Sequence, residues 1–125
     1  MRRPTILIVD DDESMLDYLR IKLGARYEVV ATNESDSALD LARERRPDLI
    51  LCDLDMPGMS SGQVSAAIFA DEELRHIPLV FLSGTVSPHE LKRLQGTVGR
   101  PALAKSTPLP DLVARIEAML RPSAS

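Results

Sequence analysis

Five polar residues in the sequence are of the types that bind a cation or a phosphate group, and each lies at the end of an apolar run. They are Asp10, Asp11, Asp53, Ser83 and Lys105. Carboxylates are the oxygen ligands that a hard divalent ion prefers, whereas a hydroxyl and an ammonium suit phosphate oxygens. The sequence shows no Cys/His zinc pattern, no glycine-rich phosphate loop and no Ser-His-Asp arrangement. These residues therefore favour metal-assisted chemistry on a phosphate group.

The apolar runs before these residues have the length and composition of strands. Continuous apolar, β-branched runs are typical of strands that are covered on both faces in a parallel sheet. A further segment mixes polar and apolar residues, which indicates a strand at the sheet edge. The predicted strands, in chain order, are Thr5–Val9, the mixed segment Tyr27–Ala31, Leu49–Cys52, Leu79–Leu82 and the short Leu103–Ala104.

Helical segments with one apolar side alternate with the strands. We expect the first helix to end at Gly24, and the second to be capped by Ser35 and ended by Pro47. The fourth begins with a hydroxyl cap, Ser87, a proline at the first helical position and a glutamate three residues after the cap. The apolar stripes of the first, second, third and fifth helices are Met15, Leu16, Leu19 and Leu23; Ala38, Leu39 and Ala42; Val64, Ala67 and Ile68; and Leu109, Leu112, Val113, Ile116 and Leu120.

This (βα)5 alternation predicts an α/β fold, a doubly wound parallel sheet with helices on both faces. The common order for five strands is 2-1-3-4-5, and ligands bind beyond the carboxyl ends of the strands, between strands 1 and 3. Asp10, Asp11 and Asp53 should therefore crowd one small region, with Ser83 and Lys105 on the same rim. Because like charges at close range repel one another, we expect Mg²⁺ to bind there.

Length, charge and composition exclude several other classes of protein. A chain of 125 residues has room for one domain. Its formal charge of −4 argues against nucleic-acid binding as the main task. The single cysteine, Cys52, excludes an internal disulfide and suits a reducing compartment. No apolar run is long enough for a signal peptide or a membrane span. We expect a soluble, cytoplasmic protein with no membrane contact.

Four sequence blocks, in the order in which they occur, resemble the motifs of bacterial response-regulator receiver domains such as the chemotaxis regulators. The blocks are Ile6–Asp11, Leu51–Gly58, Phe81–Gly84 and Lys105. The resemblance runs from about Thr5 to Leu120 and implies the flavodoxin-like receiver fold. On this basis residues 1–121 form the receiver domain, and residues 122–125 are a tail or the start of a linker.

The resemblance implies a role for each polar residue. Asp53 would be the phosphoacceptor, attacking a phosphohistidine of a sensor histidine kinase or a histidine phosphotransfer protein. Ser83 would hydrogen-bond the transferred phosphoryl group, and Lys105 would neutralise it. The ligands of Mg²⁺ would be Asp10 through water, Asp11, Asp53 and the backbone carbonyl of Asp55. Such a domain catalyses only its own phosphorylation and dephosphorylation, so we do not expect an enzyme with an external substrate.

Three positions depart from the family pattern. The segment Met56–Gly62 carries one residue more than the family's motif after the phosphoacceptor. The family's lysine is followed by proline through a cis bond, but Ser106 follows Lys105; a cis bond there would cost about 2.5–4 kcal/mol, so either strain is tolerated or Lys105 is held differently. Ala102 replaces the aromatic residue whose ring moves on activation. The chemistry of the site is thus complete, whereas the output face differs.

Two other function classes remain open on the sequence. Because of Ala102 and Ser106, the chain could be a receiver-like binding module that signals without phosphorylation. Asp53-Leu54-Asp55 also resembles, only locally, the nucleophile motif of aspartate-dependent phosphohydrolases. Under the receiver interpretation the signal passes to an output domain or a partner protein, and dimerisation on phosphorylation stays open.

Overall fold

In the computed structural model of the protein, helices flank a five-stranded parallel sheet on both sides. The structure describes residues 3–54, 61–84, 87–98 and 100–120. The strands are β1 (Thr5–Val9), β2 (Glu28–Thr32), β3 (Leu49–Asp53), β4 (Leu79–Ser83) and β5 (Ala102–Ala104). The α-helices in these ranges are α1 (Glu13–Leu23), α2 (Ala38–Arg45), α3 (Ser61–Ala70), α4 (Pro88–Val98) and α5 (Leu109–Leu120). The order β2-β1-β3-β4-β5 confirms the predicted arrangement.

The three inner strands β1, β3 and β4 are buried along their whole length, as their apolar sequences predict. Successive side chains of a strand point to opposite faces, so the sheet divides the core into two layers. On one face Ile6 and Ile8 pack with apolar residues of α1 and α5. On the other face Leu7 and Val9 pack with residues of α2 and α3. This two-sided packing holds the carboxyl ends of β1 and β3 side by side. None of the described helices combines the length and the apolar character that crossing a membrane requires.

The edge strand β2 begins one residue later than predicted, at Glu28, and runs to Thr32. Its residues are exposed or half-buried, which confirms its place at the edge. Tyr27 is buried instead, and its hydroxyl donates a hydrogen bond to Oε1 of Glu117 at 2.6 Å. Burial, together with this hydrogen bond, raises the pKa of Tyr27 to about 12. The contact ties the beginning of β2 to α5.

The predicted start of α4 is confirmed, whereas the predicted cap of α2 is wrong. Ser87 Oγ accepts a hydrogen bond from the backbone N–H of Glu90 at 3.3 Å, as an N-cap should. Ser35 does not cap α2, because Ser35–Ser37 form a 3₁₀ turn and α2 begins only at Ala38. Short 3₁₀ turns often precede α-helices, and the sequence pattern alone does not separate the two.

Helix α2 ends at Arg45 and is followed by its C-cap residue Arg46, whose backbone is left-handed with φ 44 and ψ 65. The backbone N–H of Arg46 still donates to the carbonyl of Ala42 at 2.9 Å, which closes the last turn. Arg46 also pairs with Glu73 at 2.6 Å between side chains that are both mostly exposed. A left-handed backbone at this position is the usual place for glycine, since a Cβ there costs about 1–2 kcal/mol. The chain therefore carries local strain where α2 turns toward β3.

We expect Arg46→Gly to raise the free energy of unfolding slightly, by about 0.5 kcal/mol, because relief of strain exceeds the extra entropy of the unfolded chain. The matched control is Arg45→Gly at the last residue of α2, which should lower the free energy of unfolding by about 0.5 kcal/mol. Each substitution removes one exposed ion pair, to Glu73 or to Glu28, so those losses nearly cancel in the comparison. Urea unfolding measures both; equal losses in the two variants would contradict the interpretation of strain.

Candidate functional site

The ends of β1, β3 and β5 bring together four of the five predicted polar residues. Val9 pairs with Cys52 in the sheet, so Asp10 and Asp53 follow at the same level on neighbouring strands. Asp53 is itself the last residue of β3, whereas the predicted strand ended one residue earlier, at Cys52. Asp11 continues from Asp10, and Lys105 follows β5 directly. The predicted convergence at the switch point is therefore present.

Three carboxylates form the centre of the site. One carboxylate oxygen from each of Asp10, Asp11 and Asp53 lies within 4.8 Å of the others. Asp10 is 0% exposed and Asp53 2% exposed, whereas Asp11 is on the surface. Burying two carboxylates is unfavourable unless cations or hydrogen bonds compensate for the lost water. The neighbours of Asp10 and Asp53 must therefore supply positive charge or hydrogen bonds.

Lys105 supplies one positive charge to both buried carboxylates. Its Nζ lies 3.1 Å from Oδ2 of Asp10 and 3.2 Å from Oδ1 of Asp53. Burial acts to lower the pKa of Lys105, but the hydrogen bond to Asp10 and the charges of Asp10 and Asp53 outweigh it, so the pKa lies above its ordinary value. The side chain of Lys105 therefore carries a positive charge at neutral pH. It lies between Asp53, the predicted phosphoacceptor, and Asp10, a predicted metal ligand.

The contacts of Asp10 leave room for a second cation. Its Oδ1 accepts a hydrogen bond from the backbone N–H of Asp12 at 2.9 Å. Its Oδ2 is buried and has no properly directed hydrogen bond within the described residues, although it lies close to Lys105. One oxygen from each of Asp10, Asp11 and Asp53 lies close enough to the others for a single small cation to be shared among them. The donor set, all hard oxygens, fits Mg²⁺. Asp55, the other predicted ligand, lies outside the described residues.

Ser83 lies at the end of β4, between the phosphoacceptor strand and the lysine strand. It is 4% exposed, and its carbonyl accepts a hydrogen bond from the backbone N–H of Lys105 at 2.7 Å. Ala102, at the other end of β5, pairs with Phe81 and is buried in the core. The hydroxyl residue and the lysine are thus connected through backbone, while the position that carries an aromatic ring in the resembling family holds only a methyl group.

The turn after Lys105 was not predicted. The bond between Lys105 and Ser106 is trans, so Lys105 is held differently from the family's lysine–proline pattern. Thr107 closes the turn, because both its backbone N–H and its hydroxyl donate to the carbonyl of Ala104, at 3.0 Å and 2.6 Å. A threonine hydroxyl can bond to the carbonyl three residues before it, and Thr107 was the available signal for this turn.

Comparison with known proteins identifies the family to which this chain belongs. Residues 6–117 match the response regulator receiver domain family. The polar-differentiation response regulator DivK of Brucella anthropi is 32% identical over 117 residues, which cover 93% of this chain and 95% of that protein. The solved structure of the chemotaxis response regulator CheY4 of Vibrio cholerae matches with a TM-score of 0.81 at 26% identity, covering 94% of this chain and 98% of that chain.

A further structural match is the BeF3-activated N-terminal receiver domain of RstA from Klebsiella pneumoniae, with a TM-score of 0.82 at 26% identity, covering 94% of this chain and 99% of that chain. The family match spans most of the described sheet and all four strand ends that carry the polar residues. These findings show that the chain belongs to the response regulator receiver domain family of two-component systems.

Proposed function

We propose that this receiver domain accepts a phosphoryl group on Asp53 and relays the signal by a change of conformation. The donor would be a phosphohistidine of a sensor histidine kinase or of a histidine phosphotransfer protein. The observation that carries the proposal is the contact of Asp53 with Lys105, at 3.2 Å, inside a cluster of carboxylates at the end of the central strand. A buried carboxylate beside a cation is a suitable acceptor for a highly charged group.

The transfer requires one bond to form and one to break. A carboxylate oxygen of Asp53 forms a bond to phosphorus, while the bond from phosphorus to the imidazole nitrogen breaks and its electron pair stays on that nitrogen. Lys105 holds positive charge beside the equatorial oxygens of the phosphoryl group, and Ser83 would donate a hydrogen bond to one of them. Asp53 itself is 2% exposed, which limits the water that competes for these contacts.

Mg²⁺ would be held by Asp11 and Asp53 directly and by Asp10 through water, with the carbonyl of Asp55 as a further ligand. When bound, the ion would supply charge neutralisation for the phosphoryl oxygens. The carboxylates have a second task, since they orient the ammonium of Lys105 toward Asp53. In this proposal the domain catalyses only its own phosphorylation and dephosphorylation. The phosphorylated state would then act on an output domain or a partner protein.

The test is incubation of the domain with acetyl phosphate, with Mg²⁺ in one sample and EDTA in another, followed by intact-protein mass spectrometry and assay of the remaining acetyl phosphate. We expect one added phosphoryl group in the Mg²⁺ sample and none with EDTA. Rapid, continuous consumption of acetyl phosphate without a labelled protein would indicate a phosphohydrolase. No labelling and no consumption would instead indicate a binding module that signals without phosphorylation.

A further inference from the structure

Lys105 reaches its partners across a wide part of the sheet. It follows β5, which lies two strands from β3 and three strands from β1. At about 4.8 Å between strands, the backbone of Lys105 is about 10 Å from that of Asp53. The ammonium nevertheless lies within 3.2 Å of both Asp53 and Asp10. A long, flexible side chain can meet both only if its backbone directs it along the rim.

The backbone around Lys105 is held on both sides by hydrogen bonds. On one side its N–H donates to the carbonyl of Ser83 at 2.7 Å. On the other side the carbonyl of Ala104 accepts two hydrogen bonds from Thr107, from the backbone N–H at 3.0 Å and from the hydroxyl at 2.6 Å. The turn of residues 104–107 therefore encloses Lys105. Among the described contacts, the hydroxyl of Thr107 is the only side-chain group that hydrogen-bonds to the backbone of this turn.

We propose that Thr107 is a positioning residue for the receiver reaction: its hydroxyl fixes the turn that aims Lys105 at Asp53. The inference rests on the proposed phosphoacceptor function and names one more residue that serves the same site. Thr107 contacts neither carboxylate among the described contacts and acts only through the backbone of Lys105. Ser106 has no proline ring to restrict the backbone of this turn, so the hydrogen bonds of Thr107 are the described contacts that close it.

The experiment is a double-mutant cycle with Thr107→Val, which keeps the shape but removes the hydroxyl, and Lys105→Met. Phosphorylation by acetyl phosphate is measured at a temperature where circular dichroism shows every variant to be folded. We expect Thr107→Val to slow labelling about tenfold, because a small misplacement of a charged group weakens transition-state contacts. In the Lys105→Met background the same substitution should have no further effect. Thr107→Ser should restore the rate to within about twofold of the original.

One control separates the positioning of Lys105 from a general effect of substitutions in this turn. Ser106→Ala removes the neighbouring exposed hydroxyl and should leave the rate unchanged. If Thr107→Val does not fold, Thr107→Ala takes its place. Equal slowing of labelling by Thr107→Val with and without Lys105 would overturn the inference, as would an unchanged rate.

The same cycle is measured on melting temperature, which needs no phosphorylation. We expect the loss from Lys105→Met to be smaller when the hydroxyl of Thr107 is already absent, because a misdirected ammonium stabilises the carboxylates less. Strictly additive losses would overturn the role of Thr107. A wild-type domain that takes up no phosphoryl group but shows this coupling would refute the proposed function and leave the positioning of Lys105 established.

Discussion

An Asp53→Asn variant is expected to take up no phosphoryl group from acetyl phosphate, whereas the wild-type domain takes up one. The amide oxygen is a poor nucleophile, and no other carboxylate ends the central strand beside Lys105 in the described part of the chain. The variant should still fold, because it removes one of two buried negative charges and leaves Asp10 to pair with Lys105. Intact-protein mass spectrometry after incubation with Mg²⁺ and acetyl phosphate gives the labelled fraction.

Asp17→Asn is the matched control for this experiment. Asp17 lies on the outer side of α1, where it pairs with Arg20 and its side chain is 67% exposed. We expect this variant to be labelled like the wild type. Labelling that persists in Asp53→Asn would assign the phosphoacceptor to another residue, and peptide mapping would then locate it.

The second large effect is expected from Lys105→Met, which removes the cation between the buried carboxylates of Asp10 and Asp53. Breaking a buried pair by removing one partner typically costs about 3–5 kcal/mol, and since the Lys105 side chain is 23% exposed we expect about 2–3 kcal/mol. For a domain of this size the melting temperature should fall by roughly 10 °C. Lys92→Met, at an exposed position on α4, is the matched control and should change little.

Mg²⁺ should stabilise Lys105→Met more than it stabilises the wild type. Both cations compensate the same carboxylates, so the ion gains most where the ammonium is missing. Thermal melts with increasing Mg²⁺ measure the two responses side by side. If Lys105→Met were as stable as Lys92→Met in the absence of Mg²⁺, the ammonium would not be compensating the buried charges.

The raised pKa of Lys105 sets the pH range over which this stability difference holds. Below the ordinary lysine pKa of about 10.4 the ammonium is charged in both the folded and the unfolded chain, so its contribution is fully present. Above that pH the unfolded chain loses the proton first, and the contribution is lost as the pH rises through the higher pKa of the folded state. The gap in melting temperature between wild type and Lys105→Met should therefore be constant near neutral pH and narrow in strong alkali.

The sequence predicted those parts of the fold that depend on hydrophobic pattern. The strand ends at Asp10 and Asp53 were identifiable because a fully apolar run stops at an acidic residue, and the strand order followed from the alternation with helices. The convergence of Lys105 with these carboxylates also followed, since parallel strands end at a common edge. The family roles of Ser83 in hydrogen bonding and of Asp55 in metal binding stay predictions.

Local backbone geometry was less predictable. Ser35 has the composition of a helix cap but lies in a 3₁₀ turn, because the choice between the two depends on packing around a buried side chain. The left-handed Arg46 gives no sequence signal, since glycine or asparagine is the usual residue there. The turn closed by Thr107 was not predicted. Ser106 in place of the family's proline showed only that the lysine–proline arrangement is absent. The hydrogen bond that closes the turn is made by Thr107, two residues after Lys105.

The short β5 also affects how copies of the protein meet in a concentrated solution. An open sheet exposes unpaired backbone at both edges, which can template strand addition and aggregation. At this edge the strand has only three residues, Ala102–Ala104, with Pro101 before it and the turn closed by Thr107 after it. At the opposite edge the entrance of β2 carries the charged pair of Glu28 and Arg45. The β5 edge thus offers little continuous template to another chain, and the same turn that aims the lysine also limits the length of this edge.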